Sequence, residues 1–268
     1  MSTWEISETQ QLEVDEPVRM LHAKLVGGHI DVVASDSPTT VVEVSKVRDD
    51  PIIVTVEHGV LTISHRKYAG GTVKGWLYGG GFGDRSAVVS VAVPAACAAE
   101  IDVVSAGAVV AGLDGNVRVR CVSGDVTLDG ASGDVNIGSV SGDVEGRGLA
   151  GEMTVKTVSG SITVVDSATK RLRAKGVSGD VALDLHSTGR IEIDVSTVSG
   201  DLTVRMPETT GTTVDVSSAS GRLTSAFDGL STTSKPGRRA MSGSIGDGAG
   251  SIRGRTVSGS VALLVRYG

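Results

Sequence analysis

The sequence predicts an all-β fold, a parallel β-solenoid with two short strands per coil, preceded by an antiparallel β cap. Three observations carry that expectation. A five-residue unit recurs from residue 122 to residue 261, at spacings that settle to 16–22 residues. Residues between its copies alternate apolar and polar, which is the period of a strand with one buried side. Aromatic residues make up only 3% of the 268 residues, while hydrophobic residues reach 40% and Gly numbers 37. Aliphatic side chains must therefore fill the interior, which suits a narrow space between β layers.

The unit reads apolar or Ala, Ser, Gly, polar, apolar, as in Val122-Ser123-Gly124-Asp125-Val126. Further copies lie at 131–135, 140–144, 158–162, 177–181, 198–202, 219–223, 241–245 and 257–261. From Gly124 onward the glycines are separated by 9, 9, 18, 19, 21, 21, 22 and 16 residues. The longer gaps read as two half-turns each, and weaker marks fill them at Gly115, Gly151, Gly189 and Gly211. A coil of about 18–22 residues then has two faces. Face A follows the pentapeptide and face B follows the weaker mark.

Glycine suits the sharp corner, where φ is free to be positive. Ser and Asp bond turn amides locally. One coil cannot bury its apolar side alone, but stacked coils can, with strands ~4.8 Å apart. Val126, Val144, Ile162, Val181 and Leu202 are expected to form one interior row. On face B the outward pairs Arg118/Arg120, Asn136/Gly138, Thr154/Lys156, Arg173/Lys175, Glu192/Asp194 and Thr213/Asp215 should stack in that order. This register predicts contacts of Arg173 with Glu192 and of Lys175 with Asp194.

Residues 1–95 lack the unit and carry longer alternating runs at 18–26, 30–33, 40–47, 52–56, 61–65 and 88–93. Glu57-His58-Gly59 has the composition of a hairpin turn. This segment is expected to be antiparallel and to cover the first coil, because bare strand edges recruit other chains. The expected division is a cap over 1–95 and a repeat region over 96–268, together one continuous elongated domain. Residues 66–86 read as a Gly-rich loop, 225–239 as a loop insertion, and 261–266 as a final strand with an exposed edge.

Repeated Val-Ser-Gly-Asp-Val units behind a non-repeating β segment resemble the bacterial putative-adhesin β-strand-repeat family, a domain of unknown function. The resemblance spans nearly the whole chain and is strongest from Leu113 to Arg266. It implies a β-solenoid and a bacterial origin, and it carries no catalytic residues.

The formal net charge of −6 disfavours attraction to a nucleic-acid backbone. No run approaches the ~20 apolar residues of a membrane span. Met1 to Gln10 contains Glu5 and Glu8 and no apolar run, so a Sec-type signal is not expected and the protein is read as soluble and cytoplasmic. The two cysteines and five histidines have no metal-ligand spacing, and no cofactor or metal is expected.

Four features are candidates for function. The loop at 66–86 holds Tyr68, Trp76, Tyr78 and Phe82, four of the seven aromatic residues, together with Lys74. Rings and a cation on a loop suit a protein partner, and the alternative is that Trp76 and Tyr78 simply pin the loop to the cap. The turn acids Asp125, Asp143, Asp180 and Asp201 could in principle hold Ca²⁺, but Ser161 and Arg222 break the column, and turn capping accounts for it. Outward Thr127, Thr163, Thr203 and Thr224 follow ordinary strand preference, interrupted by Glu145 and Ala182. Basic Arg118, Arg120, Lys156, Lys170, Arg171, Arg173 and Lys175 form either a positive strip on face B or a solvated face with acidic neighbours.

The reading is a non-catalytic scaffold or adhesin-like interaction module for a protein partner, not an enzyme. One alternative is a carbohydrate-binding or polysaccharide-active β-helix, which needs clustered acids in a groove. A second is a self-assembling structural protein that associates through the C-terminal strand, where 261–265 is apolar.

Overall fold

The structure, a computed structural model, describes residues 1–66, 85–187 and 189–267. All its named elements are strands, most of them paired in parallel, in a β-solenoid-like arrangement. None of the described residues forms a helix long and apolar enough to cross a membrane. The chain divides into two compact units, Met1–Thr127 and Leu128–Gly268.

The first unit contains β1 (Ser2–Ile6), β2 (Gln10–Val14), β3 (Met20–Ser35), β4 (Thr40–Arg48), β5 (Ile52–Glu57) and β6 (Val60–His65). It continues with β7 (Ser86–Pro94), β8 (Ala98–Ala111) and β9 (Val117–Ser123), and β10 (Val126–Asp129) lies at the division. The 16-residue β3 and 14-residue β8 pair in parallel almost from end to end. The first half of β3 also pairs with β6 and its second half with β7, both in parallel. It turns its corner at Gly28, whose φ is +106° and whose hypothetical Cβ would lie 1.9 Å from the Ala87 carbonyl oxygen. The outer strands are antiparallel: β1 on β5, β5 on β6, β2 on β4 and β4 on β7. The uniformly antiparallel segment expected for residues 1–95 is thereby corrected. β3 already runs as a parallel rung, because its apolar alternation matches that of β8 over its whole length. The turn at His58-Gly59 is present and joins β5 to β6.

The second unit begins with β11 (Val135–Ser141), β12 (Val144–Arg147), β13 (Met153–Ser159), β14 (Ile162–Ser167), β15 (Arg171–Lys175) and β16 (Val181–Leu185). Then come β17 (Glu192–Ser196), β18 (Leu202–Pro207), β19 (Thr212–Ser218) and β20 (Leu223–Ser225). It ends with β21 (Leu230–Lys235), β22 (Arg238–Ile245), β23 (Gly250–Thr256) and β24 (Val261–Arg266). Face A stacks β12, β14, β16, β18, β24 and β20 in parallel. Face B stacks β11, β13, β15, β17, β23 and β19 in parallel. Val144, Ile162, Val181, Leu202 and Val261 occupy matching positions on face A, each at most 2% exposed.

The corner between the faces explains the Ser-Gly pair. Gly160, Gly179 and Gly200 have φ of +134°, +123° and +149°. A Cβ on each would fall 2.1, 2.2 and 2.0 Å from the carbonyl oxygen of the corner glycine one coil back. Backbone packs directly on backbone there, so no side chain fits. The following acid ties coils together. Ser161 N–H donates to Asp143 Oδ1 at 2.7 Å, Asp201 N–H to Asp180 Oδ1 at 2.8 Å, and Ser260 N–H to Asp201 Oδ1 at 2.7 Å. Asp143, Asp180 and Asp201 of the acidic column are thus caps, each bonding an amide of the neighbouring coil.

Four expectations for this unit are corrected. Arg173 faces Asp194 instead of Glu192, and Lys175 faces Ser196 instead of Asp194. The offset from β13 to β15 is 19 residues and from β15 to β17 is 21, so two additional residues enter before β17 and shift the register. The last coil, β23 with β24, lies between the two coils before it. Stacking in chain order would have set Asp194 beside Asp215; the inserted strand puts Arg253 between them. Opposite charges on adjacent strands stabilise and like charges destabilise. The segment expected as a loop at 225–239, with the pentapeptide copy 241–245, forms an antiparallel hairpin, β21 on β22, laid against β19. Finally, Val261–Leu263 is paired on both sides, by β18 and β20, so this part of the terminal strand is not a free edge.

Candidate functional site

The partner-binding residues expected from sequence, Tyr68, Lys74, Trp76, Tyr78 and Phe82, lie outside the described residues. The described surface with most chemical character is the outer side of face B in the second unit. Its strands alternate strictly, so every second side chain faces out, and in-register stacking aligns these into columns.

The first column joins Glu152, Arg171 and Glu192. Arg171 forms ion pairs with both acids, at 3.1 Å to Glu192, and Arg190 bonds Glu192 at 2.7 Å. Hydrogen bonds from Arg190 and then Arg171 hold the Glu192 carboxyl below its usual range. These residues and Asp134, Gly151 and Lys170 line a shallow hollow of about 410 Å³. The second column alternates in charge: Arg173, Asp194, Arg253, Asp215. Its closest pair, Arg173 with Asp194, is 3.9 Å apart. The third is basic: Lys156, Lys175, Ser196, Arg255, Ser217.

A fourth column runs along the corner. Val140, Val158, Val177, Val198 and Val257 are 49–52% exposed. Backbone bonds such as Ser178 N–H to Val158 O, Ser199 N–H to Val177 O and Val257 N–H to Val198 O hold them in line. In sequence the first position of the pentapeptide reads as apolar, with no side assigned to it. The signal was available: Met153, Val155 and Thr157 face inward at period two, which puts Val158 out of phase and outside.

On face A, Asp184 receives Arg205 and lies 3.0 Å from Arg266, whose other nitrogen reaches Asp166 at 3.0 Å. Hydrogen bonding from Arg205, aided by the charge of Arg266, holds the Asp184 carboxyl low. A hollow of about 200 Å³ beside it is lined mainly by Val164, Val165, Ala182, Leu183 and Leu264. The Thr column keeps its register through Thr163, Ala182 and Thr203, with Ala262 inserted before Thr224.

In the first unit Arg120 bonds Asp102 at 2.6 Å and pairs with Glu100, so this member of the expected basic strip sits among acids. The histidines are dispersed: His22 lies 3.6 Å from Glu100, His29 3.0 Å from Asp31, His186 3.5 Å from Asp166, and His65 is fully buried. Among the described residues no His/Cys/Asp/Glu group is arranged to hold a metal ion. Cys97 and Cys121 are buried free thiols, and burial pushes both up to about 11. They are thiols, not nucleophilic thiolates, at neutral pH.

Stacked in-register strands, corner glycines and coil-to-coil caps define a β-solenoid-like repeat protein. The chain matches the Toastrack DUF4097 family, a domain of unknown function, over residues 5–264, and it belongs to that family. No curated protein matches it. It is similar to the crystal structure of a putative cell adhesion protein from Clostridium sporogenes, at 12% identity and a TM-score of 0.31, covering 97% of this chain and 100% of that one. It is also similar to putative adhesins from Parabacteroides distasonis (12% identity, TM-score 0.38, 96% and 98% covered) and Parabacteroides merdae (11%, 0.39, 97% and 97%).

Proposed function

We propose that this protein is a non-catalytic scaffold that binds a protein partner, with a cap over residues 1–95 and a repeat region over 96–268 built as two-strand coils. The observation that carries the reading is the exposed valine row beside a basic column. Five half-exposed aliphatic side chains in line form an apolar strip, and such strips mark interaction surfaces. Lys156, Lys175 and Arg255 along it favour a partner with acidic residues flanking its apolar contact. The segment holding Tyr68, Lys74, Trp76, Tyr78 and Phe82 is the second proposed contact. Glu192 and Asp184, the acids beside the two hollows, are held low by arginines, which disfavours either as the general acid of a polysaccharide-active enzyme.

The test uses the full chain as bait in native lysate. Val158→Ser/Val177→Ser and Trp76→Ala/Tyr78→Ala are compared with the unaltered protein, with melting curves to show that each variant is folded. Loss of the same captured protein from a folded variant supports the reading for that surface. Equal recovery of every captured protein by all three baits removes both contacts.

A further inference from the structure

The outer side of face B is self-complementary, and we infer that it binds a second copy of this chain across a two-fold axis. The inference goes beyond the partner-binding reading and does not depend on it; the two share the valine row and the basic column, so a second copy and another protein partner would occupy this surface in turn. It starts from the order of charges in the second column: Arg173 on β15, Asp194 on β17, Arg253 on β23, Asp215 on β19. All four side chains are exposed.

A second copy is laid face to face, related by an axis running along the strands between β17 and β23. This reverses the stacking order while keeping each column opposite itself. Arg173 then meets Asp215, and Asp194 meets Arg253. By symmetry each contact occurs twice. In the third column Lys175 meets Ser217, and Arg255 meets Ser196, so no two cations face each other. In the corner column Val198 meets Val257, and Val177 meets Ala219. One strand further out, Thr154 faces Ser242 and Lys156 faces Ala240, again without conflict.

This register makes the most opposite-charge contacts: moving the axis between β23 and β19 keeps only Arg253 against Asp215. Centring the axis on β17 sets Asp194 against itself and Arg173 against Arg253. Centring it on β23 sets Arg253 against itself and Asp194 against Asp215. Moving it between β15 and β17 sets Lys156 against Arg255. Like charges pressed together suppress these last three alternatives. A ladder with a ~4.8 Å repeat is matched along its length by another ladder with the same repeat, which a second copy supplies.

The size is consistent with a reversible contact. Six strands from β13 to β22 span roughly 29 Å, and four columns span roughly 20 Å. That gives roughly 600 Å² per copy and roughly 1,200 Å² in total, at the low end of specific interfaces. The surface differs from the terminal strand considered from sequence, much of which is covered on both sides.

Sedimentation equilibrium of the full chain tests the inference. The unaltered protein should dimerise reversibly, and more weakly at high salt. Arg253→Asp alone sets a new carboxylate against Asp194 of the other copy, and Asp194→Arg alone sets a new guanidinium against Arg253. Each should weaken its own dimer by at least about tenfold. Mixed in equal amounts, the two restore opposite charges at both central contacts, and the heterodimer should recover to within about threefold of the original affinity. Arg253→Ala introduces no like-charge neighbour within the chain and should weaken the dimer by about threefold or more even if the reversals fold poorly. Several results would overturn the proposal: an unaltered protein still monomeric at about 1 mM and low salt, charge variants that dimerise undiminished, or a mixture of folded variants that stays monomeric. A dimer that survives the reversals but dissociates on deletion of 260–268 would put the contact on the terminal strand, and also overturns it. A monomer that retains poly-glutamate would make the basic column a polyanion surface and would overturn the proposal as well.

Discussion

The two units bury their interiors in the same way and both pack corner glycines on backbone, Gly28 on Ala87 in the first and Gly160 on Gly142 in the second, but they space those corners differently. In the first, long strands carry the chain round: β3 and β8 have 16 and 14 residues, and β7 contributes Ala87, Val89, Val91 and Val93, all fully buried. In the second, named strands have 3–8 residues, and the chain is held along the pentapeptide corner by glycine stacked on glycine, with Asp143, Asp180 and Asp201 each bonded to the next coil. The first unit depends on continuous side-chain ladders with mixed strand directions. The second depends on a backbone contact repeated coil by coil, and that is why its sequence repeats.

The largest expected effect lies at the corner. Gly160→Ala places a Cβ at positive φ and 2.1 Å from a backbone oxygen. It should cost about 3 kcal/mol or more in chemical denaturation. Gly138→Ala is the control: that glycine lies within β11, and a Cβ there meets nothing within 4 Å. Its effect should stay within about 0.5 kcal/mol and be stabilising, because the unfolded chain loses freedom. Equal losses at the two positions would show that the corner contact is not special.

A smaller effect belongs to the caps. Asp201→Ala removes the acceptor for the Ser260 amide and should cost about 1 kcal/mol by the same measurement. Asp201→Asn keeps a carbonyl acceptor and should recover part of it.

The smallest effect distinguishes the units by pH. His65 is fully buried in the first unit, and its Nδ1 accepts the Val26 N–H at 3.4 Å. Burial holds the ring below its ordinary value of 6.5, with Asp50 pulling upward and Arg85 downward. The fold favours the neutral ring, so its contribution is complete above pH 6.5 and is lost as pH falls through the lowered folded value. Between about pH 7 and pH 5, amide exchange, corrected for its intrinsic pH dependence, should accelerate around β5 and β6 more than in the second unit. His65→Asn should flatten that difference. A uniform response in both units would contradict it.

Much of this was legible in the sequence, for identifiable reasons. Period-two alternation placed Val144, Ile162, Val181 and Leu202 in one row, and the stacking of Asn136, Thr154 and Arg173 followed from the glycine spacings of 18 and 19 residues. The slip at β17 was not legible, because two additional residues between coils can be absorbed in either turn. The hairpin was hidden because Met241 and Ile245 both face inward, and a straight strand satisfies a four-residue spacing as well as a corner does. The position of the last coil was not legible because chain order does not fix spatial order, although the charges of Asp194, Arg253 and Asp215 favour β23 between β17 and β19. The valine row is hidden in the sequence because an apolar residue in a repeat has the composition of core, and only its phase against Met153, Val155 and Thr157 sets it outside.

The threading of the last coil follows from the same register that aligns the interior row, and oxidative cross-linking tests both together. Thr203 and Ala262 are direct partners on β18 and β24, whereas Thr203 and Thr224 are separated by β24. Paired cysteines at 203 and 262 should cross-link rapidly in the folded chain, while paired cysteines at 203 and 224 should not. Rapid cross-linking of 203 to 224, with 203 and 262 unreactive, would show coils stacked in chain order and contradict the account.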